Sequence, residues 1–204
     1  MSDGITDQPE GATPIDDVSG LLVDITTRGE LNDAEGLNIL TATDWIDKGR
    51  IDDLFTVRFY RELHTKMYDQ VWSWAGALRS QTGQTTHPGS RPEAVDLDLG
   101  RVAMEFHCEW EALNDNSHLL PFISRYHHAL VLVHPFNNGN GRWSRLAADA
   151  VIQRLAGRPP LTWATDTLVV DSDERKEYIA ALQAADTGDF QPLLDYIVAL
   201  NPRR

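Results

Sequence analysis

HPFNNGNGRWSR, residues 134–145, stands between the apolar run ALVLV and the stretch LAADAVIQRLAG, which has helical periodicity. A connecting loop needs its glycines. It does not need a histidine at the end of an apolar helix, an asparagine between two glycines, or two arginines three residues apart. Glycines let the backbone approach a ligand and adopt positive φ. The first amides of the following helix have no internal partner, and the helix dipole is positive there. Such a mouth binds anions, phosphates above all. Arg142 and Arg145 lie one turn apart and can face one pocket. Each planar guanidinium matches two phosphate oxygens. Asn140 can offer amide hydrogens to a further oxygen. This is a polyphosphate cradle without the GxxxxGK[ST] pattern of a P-loop. His134, at its other edge, changes charge near neutral pH and suits a general base. A base beside a bound polyphosphate implies transfer to a hydroxyl, driven by positioning and charge stabilisation. Phe136 is expected to turn into the core and pin the loop.

Working outward, Thr27 to Glu30 has the form of a capping box, and a helix should follow to near Gly49. In LFTVRFYRELHTKMYDQVW, Phe55, Phe59, Leu63, Met67 and Val71 recur every four residues and define one helical face. SWAGALRSQTGQTTHPGSRP breaks the periodicity and reads as a loop or short hairpin. Further helices are expected over AVDLDLGRVAMEFHCEWEAL (weakened at Gly100), PFISRYHHALVLV (Pro121 in its first turn), and NGNGRWSRLAADAVIQRLAG (Gly157 as C-cap). SDERKEYIAALQAAD, with Ser172 or Asp173 as N-cap, and DFQPLLDYIVAL close the chain. The reading is all-α. Residues 1–18 are acidic and polar and expected to be a disordered tail; residues 19–204 form the domain.

At 204 residues the chain can bury one core without metals or disulfides. Its 18 Lys and Arg against 31 Asp and Glu give a net charge of −13, which repels nucleic acid and anionic lipid at long range. No apolar run is long enough for a membrane span, and the N-terminal stretch lacks the regions of a signal peptide. With Cys108 as the lone cysteine, the expectation is a cytoplasmic protein. His127 and His128 lack accompanying metal ligands and are expected to pack in the core, as are Trp72 and Trp74.

HPFNNGNGRWSR resembles the Fic/Doc signature HPFx[DE]GNGRxxR. VWSWAGALR, YHHALVLVHPF and YIAALQAADTGDFQPLLDYI agree with it too, over roughly residues 30 to 200. ITTRGELNDAEGLNIL is similar to the branch called mobile mystery protein B, linked to mobile elements. The resemblance implies a Fic-type bundle of about six to eight helices with a short β-hairpin flap at residues 79–90 that aligns a target segment. It implies transfer of AMP from ATP to a hydroxyl side chain of a target protein, as in toxin–antitoxin-like modules, with a helix-turn-helix companion and room for a homodimer. His134 would be the base and Phe136 the anchor. Gly139, Asn140 and Gly141 would form the anion hole, and Arg142 and Arg145 would hold the β- and γ-phosphates. Asn138 stands where the family carries a Mg²⁺-binding carboxylate, and a neutral amide oxygen holds that ion less tightly. The departure leaves open a nucleotide-binding regulator with little transfer, a kinase-like variant, or an interaction subunit with a vestigial pocket. Many Fic proteins are restrained by a glutamate in [ST]xxxE[GN] that pairs with the second motif arginine. Glu30 and Glu35 each fit part of that pattern, Glu30 ahead of Glu35, whose simplest reading is a solvated helix face.

Overall fold

The computed structural model describes residue 18 and residues 20–113, 118–163 and 172–202. The tail expected at the N-terminus lies almost wholly outside these residues. The regular elements described are all helices, and two isolated antiparallel bridges join Leu21 to Trp72 and Leu78 to Phe136.

Helix α1 spans Arg28–Lys48 and opens on the expected capping box: Thr27 accepts from the Glu30 amide, and the Glu30 carboxylate accepts from the Thr27 amide. Helix α2 spans Val57–Tyr68, with Thr56 as its N-cap. The five apolar residues of the expected stripe are all buried, but Phe55 and Val71 lie just outside the helix, in its entry and exit turns. Helix α3 is a single turn, Arg79–Thr82. A 3-10 turn at Pro92–Ala94 leads into α4, Val95–Glu111. That helix runs unbroken through Gly100, where nothing crowds the backbone. Helix α5 is Leu119–Val133, α6 is Asn140–Arg154, α7 is Asp173–Asp186 and α8 is Gln191–Leu200. Gly157 lies beyond the end of α6 with φ of 62°, and the Arg158 amide turns back to the Ile152 carbonyl. Ser172 caps α7 by accepting from the Arg175 amide.

Helices α5 and α6 pack against each other at the centre. Helices α1 and α2 cover α6, while α4, α7 and α8 cover α5. Aromatic rings fill the junction: Phe55, Phe106, Phe122 and Tyr126 meet edge to face or stacked, with centroids 5.2–6.2 Å apart. The histidines on α5 serve this packing. His127 meets the Tyr178 hydroxyl at 2.7 Å, and His128 meets Asp186 at 2.8 Å, tying α5 to α7. Among the described residues no cluster could hold a metal ion through three His, Cys, Asp or Glu side chains. None of their helices is long and apolar enough to cross a membrane.

The segment expected as a hairpin flap folds differently. After the one-turn α3, Gly83 takes a left-handed conformation and the chain continues as a loop with a cis His87–Pro88 bond. Arg79 is the reason. Its fully buried guanidinium bonds to the carbonyls of Gln84, Ser90, Val133 and His134 at 2.6–3.2 Å. The backbone of this segment is thus gathered around a side chain and onto the 134–136 turn. It is not paired strand to strand.

Candidate functional site

His134 ends α5 in a left-handed conformation, φ 50° and ψ 59°, the one positive φ outside glycine among the described residues. Such a backbone costs energy in an L-residue and is held by its surroundings. The Arg79 side chain grips the His134 carbonyl at 2.6 Å, and the Arg79 amide donates to the Pro135 carbonyl at 2.8 Å. The His134 ring is 8% exposed and meets the Val131 carbonyl through Nδ1 at 3.2 Å. A carbonyl only accepts, so Nδ1 carries the hydrogen and the lone pair of the neutral ring lies on Nε2. Burial, with the Arg79 charge adding to it, pushes the imidazole down to about 4 against the Val131 bond. The ring is therefore neutral at pH 7, the form a proton acceptor needs.

The turn between His134 and α6 is closed by its own side chains. Asn140, expected to offer its amide to a ligand, instead brackets Phe136: its Oδ1 accepts from the Phe136 amide at 2.9 Å and its Nδ2 donates to the Phe136 carbonyl at 2.8 Å. That use closes the turn and leaves its backbone amide for the helix mouth. Phe136 is wholly buried, stacked on His64 at 3.7 Å and edge-on to Trp143 at 5.0 Å, as an anchor should be. Gly139 has φ of 75°, and a Cβ there would fall 2.5 Å from the Tyr68 ring and hydroxyl. No other residue fits. Gly141 is less constrained: a Cβ there would meet only the Arg145 side chain at 3.6 Å.

Helix α2 holds this turn from beneath. His64 and Tyr68, four residues apart on one face, reach the carbonyls of Asn138 at 3.1 Å and Gly139 at 3.4 Å. His64 Nδ1 accepts from the Gly76 amide at 3.0 Å, so Nε2 is the donor toward Asn138. Burial pushes His64 down to about 3, consistent with a ring that stays neutral. With those carbonyls pulled toward α2, the amides at the start of α6 are directed away from it. Arg142 and Arg145 rise from that same turn, Arg142 over the Tyr68 ring at 5.3 Å and Arg145 over the Tyr178 ring at 5.8 Å.

A carboxylate already occupies part of this mouth. Glu35, expected on a solvated face, is 1% exposed and forms an ion pair with Arg142 at 2.6 Å. The Trp72 indole donates to its other oxygen at 2.7 Å. Burial alone would weaken the Arg142 charge, but Glu35 and Tyr68 beside it outweigh that and hold the guanidinium above its ordinary value. The partner is the first motif arginine, where the resemblance implied the second. Glu30 is exposed, and its carboxylate faces the Thr26 and Thr27 amides, which hold it below the usual range. Asn138 Oδ1 accepts from the Gly139 amide at 2.6 Å. An uncharged oxygen already bonded to the backbone fits Mg²⁺ poorly.

The sequence places His134, Phe136, Asn138, Gly139, Asn140, Gly141, Arg142 and Arg145 in one turn, and the fold keeps them there. Arg79, His64, Tyr68 and Trp72 escaped notice as working parts. The stretch VWSWAGALR contains two of them, but nothing in its spacing says that an arginine will be swallowed whole.

Comparison with known proteins gives a consistent result. Residues 54–152 match the model of the Fic/DOC family. The chain is 34% identical over 154 residues to a protein adenylyltransferase Fic of Aedes aegypti, covering 74% of this chain and 29% of that one. It is 41% identical over 71 residues to protein adenylyltransferase fic-1 of Caenorhabditis elegans, covering 35% and 12%. Among solved structures it is similar to a fragment of C. elegans Fic-1, with TM-score 0.60 and 25% identity over 90% of this chain and 51% of that one. The ADP-bound N-terminal Fic domain of a Bartonella quintana effector has TM-score 0.68 and 16% identity, covering 95% of each chain, which bears on the fold. The chain spans about a third or less of the length of the curated relatives it matches.

Proposed function

Residues 54–152 form a Fic/DOC family domain, and from that premise we propose that this chain is a protein adenylyltransferase, transferring AMP from ATP to a Ser, Thr or Tyr hydroxyl of a target protein. The observation that carries the reading is the pairing, across one rigid turn, of a neutral imidazole with a helix mouth flanked by two arginines. In this reading His134 Nε2 takes the proton of the target hydroxyl. The freed oxygen attacks the α-phosphorus, the bond to the bridging oxygen breaks, and pyrophosphate leaves. The amides of Asn140 and Gly141 face the phosphates, and Arg142 and Arg145 neutralise the charge that grows on the leaving group. Arg79 aims His134 through its carbonyl, and the loop it gathers offers backbone to the target segment.

Glu35 holds the resting protein closed, because its carboxylate sits on a guanidinium that ATP must engage. It does so better than Glu30, whose carboxylate is spent on the cap of α1. Mg²⁺ enters with ATP, and Asn138 adds little to its hold. That same amide favours one second reading, a nucleotide-binding regulator whose transfer is weak. A cytoplasmic setting, a mobile element of the mobile mystery protein B kind, a helix-turn-helix companion and a homodimer belong to the same proposal.

The test is incubation of the protein with ATP labelled on the α-phosphate, in lysate, comparing the natural chain, Glu35→Ala and Glu35→Ala with His134→Ala. Covalent label on protein with Glu35→Ala, lost on adding His134→Ala, is the expected result. In a parallel incubation with ATP labelled on the γ-phosphate, label from that source alone would replace the reading with a kinase-like one. Reversible nucleotide binding without any label would favour the regulator.

A further inference from the structure

The charges gathered at the mouth do not balance. Arg142, Arg145 and Arg28 all act on the Tyr68 phenol, and among the acidic side chains only Glu35 does. Glu35 is committed to Arg142 and Trp72. Two nitrogens of the cluster, Arg28 Nη1 and Arg145 Nε, are buried with no hydrogen-bond partner. A buried donor without an acceptor is costly, and a charged one more so.

Arg28 is the unexpected member. It is the first residue of α1, seven positions ahead of Glu35, which two helical turns bring onto the same face. It feels both the Glu35 carboxylate and the like charge of Arg142. Three things oppose a cation in this place. It is half-buried, another arginine lies near it, and the positive end of the α1 dipole is its own turn. A residue chosen for stability alone would not be arginine. A polyanion arriving at the mouth would offset these costs with opposite charge, and would supply acceptors for Nη1 of Arg28 and Nε of Arg145.

We propose that Arg28 is a third arginine of the anion site, contributed by α1 and binding the terminal phosphates of the nucleotide once Glu35 withdraws. Helix α1 then both blocks the mouth, through Glu35, and completes it, through Arg28. The inference rests on the nucleotide reading above and deepens it, since it assigns part of the affinity for the triphosphate tail to a residue outside the 134–145 turn.

The rival account makes Arg28 a second countercharge for Glu35, with no part in binding. Removing Glu35 separates the two. Calorimetry would compare Glu35→Ala with Glu35→Ala/Arg28→Met, titrating ATP, AMP and inorganic tripolyphosphate into each, with thermal melts to establish that both are folded. Loss of Arg28 should weaken ATP and tripolyphosphate about tenfold while leaving AMP unchanged, the size expected for one charge-assisted contact. Arg28→Lys in the same background, which keeps the charge and loses the fork, should fall between. Equal ATP affinity with and without Arg28 overturns the proposal, and so does an equal loss for AMP. If Glu35→Ala takes up tripolyphosphate but not ATP, the nucleotide reading fails, and Arg28 is judged on tripolyphosphate by the same criterion. If it takes up neither, both fall.

Discussion

Removing the Glu35 carboxylate leaves the largely buried Arg142 guanidinium near Arg28 without its countercharge. Breaking a buried pair from one side costs about 3 kcal/mol or more, because the surviving charge stays desolvated. Glu35→Ala should therefore melt several degrees lower than the natural chain, and ATP should raise its melting temperature by more. Differential scanning fluorimetry with and without nucleotide checks both, and equal ATP shifts in the two proteins would remove Glu35 from its blocking role. Glu30→Ala, which touches only the cap of α1, should leave the ATP shift as it is. Asn138→Asp should tighten Mg²⁺ uptake with ATP and raise any transfer rate; superimposable magnesium titrations of the two forms would contradict this. At this scale the 134–145 turn was legible because each residue in it carries its chemistry locally. Glu35 was not. Whether a helical carboxylate faces solvent or an arginine depends on which helix comes to lie against it, and that arginine stands at the far side of the chain in sequence. Asn140 was read in part: an amide between glycines announced a bonded turn, but the backbone of Phe136 claimed it before any ligand.

Between elements, Arg79 is the joint. It ties α3 and the following loop to the end of α5 through four carbonyl oxygens. Arg79→Met would keep the stem and strand those acceptors, at a cost of at least about 3 kcal/mol. It should also free His134 from its left-handed backbone. We expect lower stability together with a histidine whose ring titrates nearer its ordinary value, read from its proton resonance against pH. An unchanged His134 titration would show that the joint is only structural. Most helices were legible from apolar spacing and caps: Thr27 and Ser172 cap their helices as expected, while the Thr56 cap of α2 was not read from the sequence. For residues 79–90 the loop half of the reading held and the hairpin did not, because glycine, threonine and serine mark a turn-rich stretch without saying what the turns fold around. A buried cation from the same segment supplied that centre, and no periodicity reports it.

Across the whole molecule, three histidines are buried in neutral form: His64 and His127 near 3, His134 near 4, against an ordinary value of 6.5. Burial is the first cause in each. Their folded values are depressed, so the unfolded chain binds protons that the folded one refuses. The stability they contribute is complete above the ordinary histidine value and is lost as pH falls from there toward about 4 for His134 and about 3 for His64 and His127. Each refused proton costs roughly 1.4 kcal/mol per pH unit over that window. Urea denaturation at a series of pH values should show stability falling steeply below neutrality, and a flat profile between 6.5 and 4 would contradict the burial of these rings. Trp72 gives the molecule one more property. Its indole donates to a carboxylate when the mouth is blocked, and an indole's excited-state dipole responds strongly to a nearby anion. On the proposal that Glu35 withdraws for nucleotide, that withdrawal should shift the emission of one of the six tryptophans. The shift would be an optical gauge of the proposed opening, readable without dye or label, in a cuvette, while nucleotide is added.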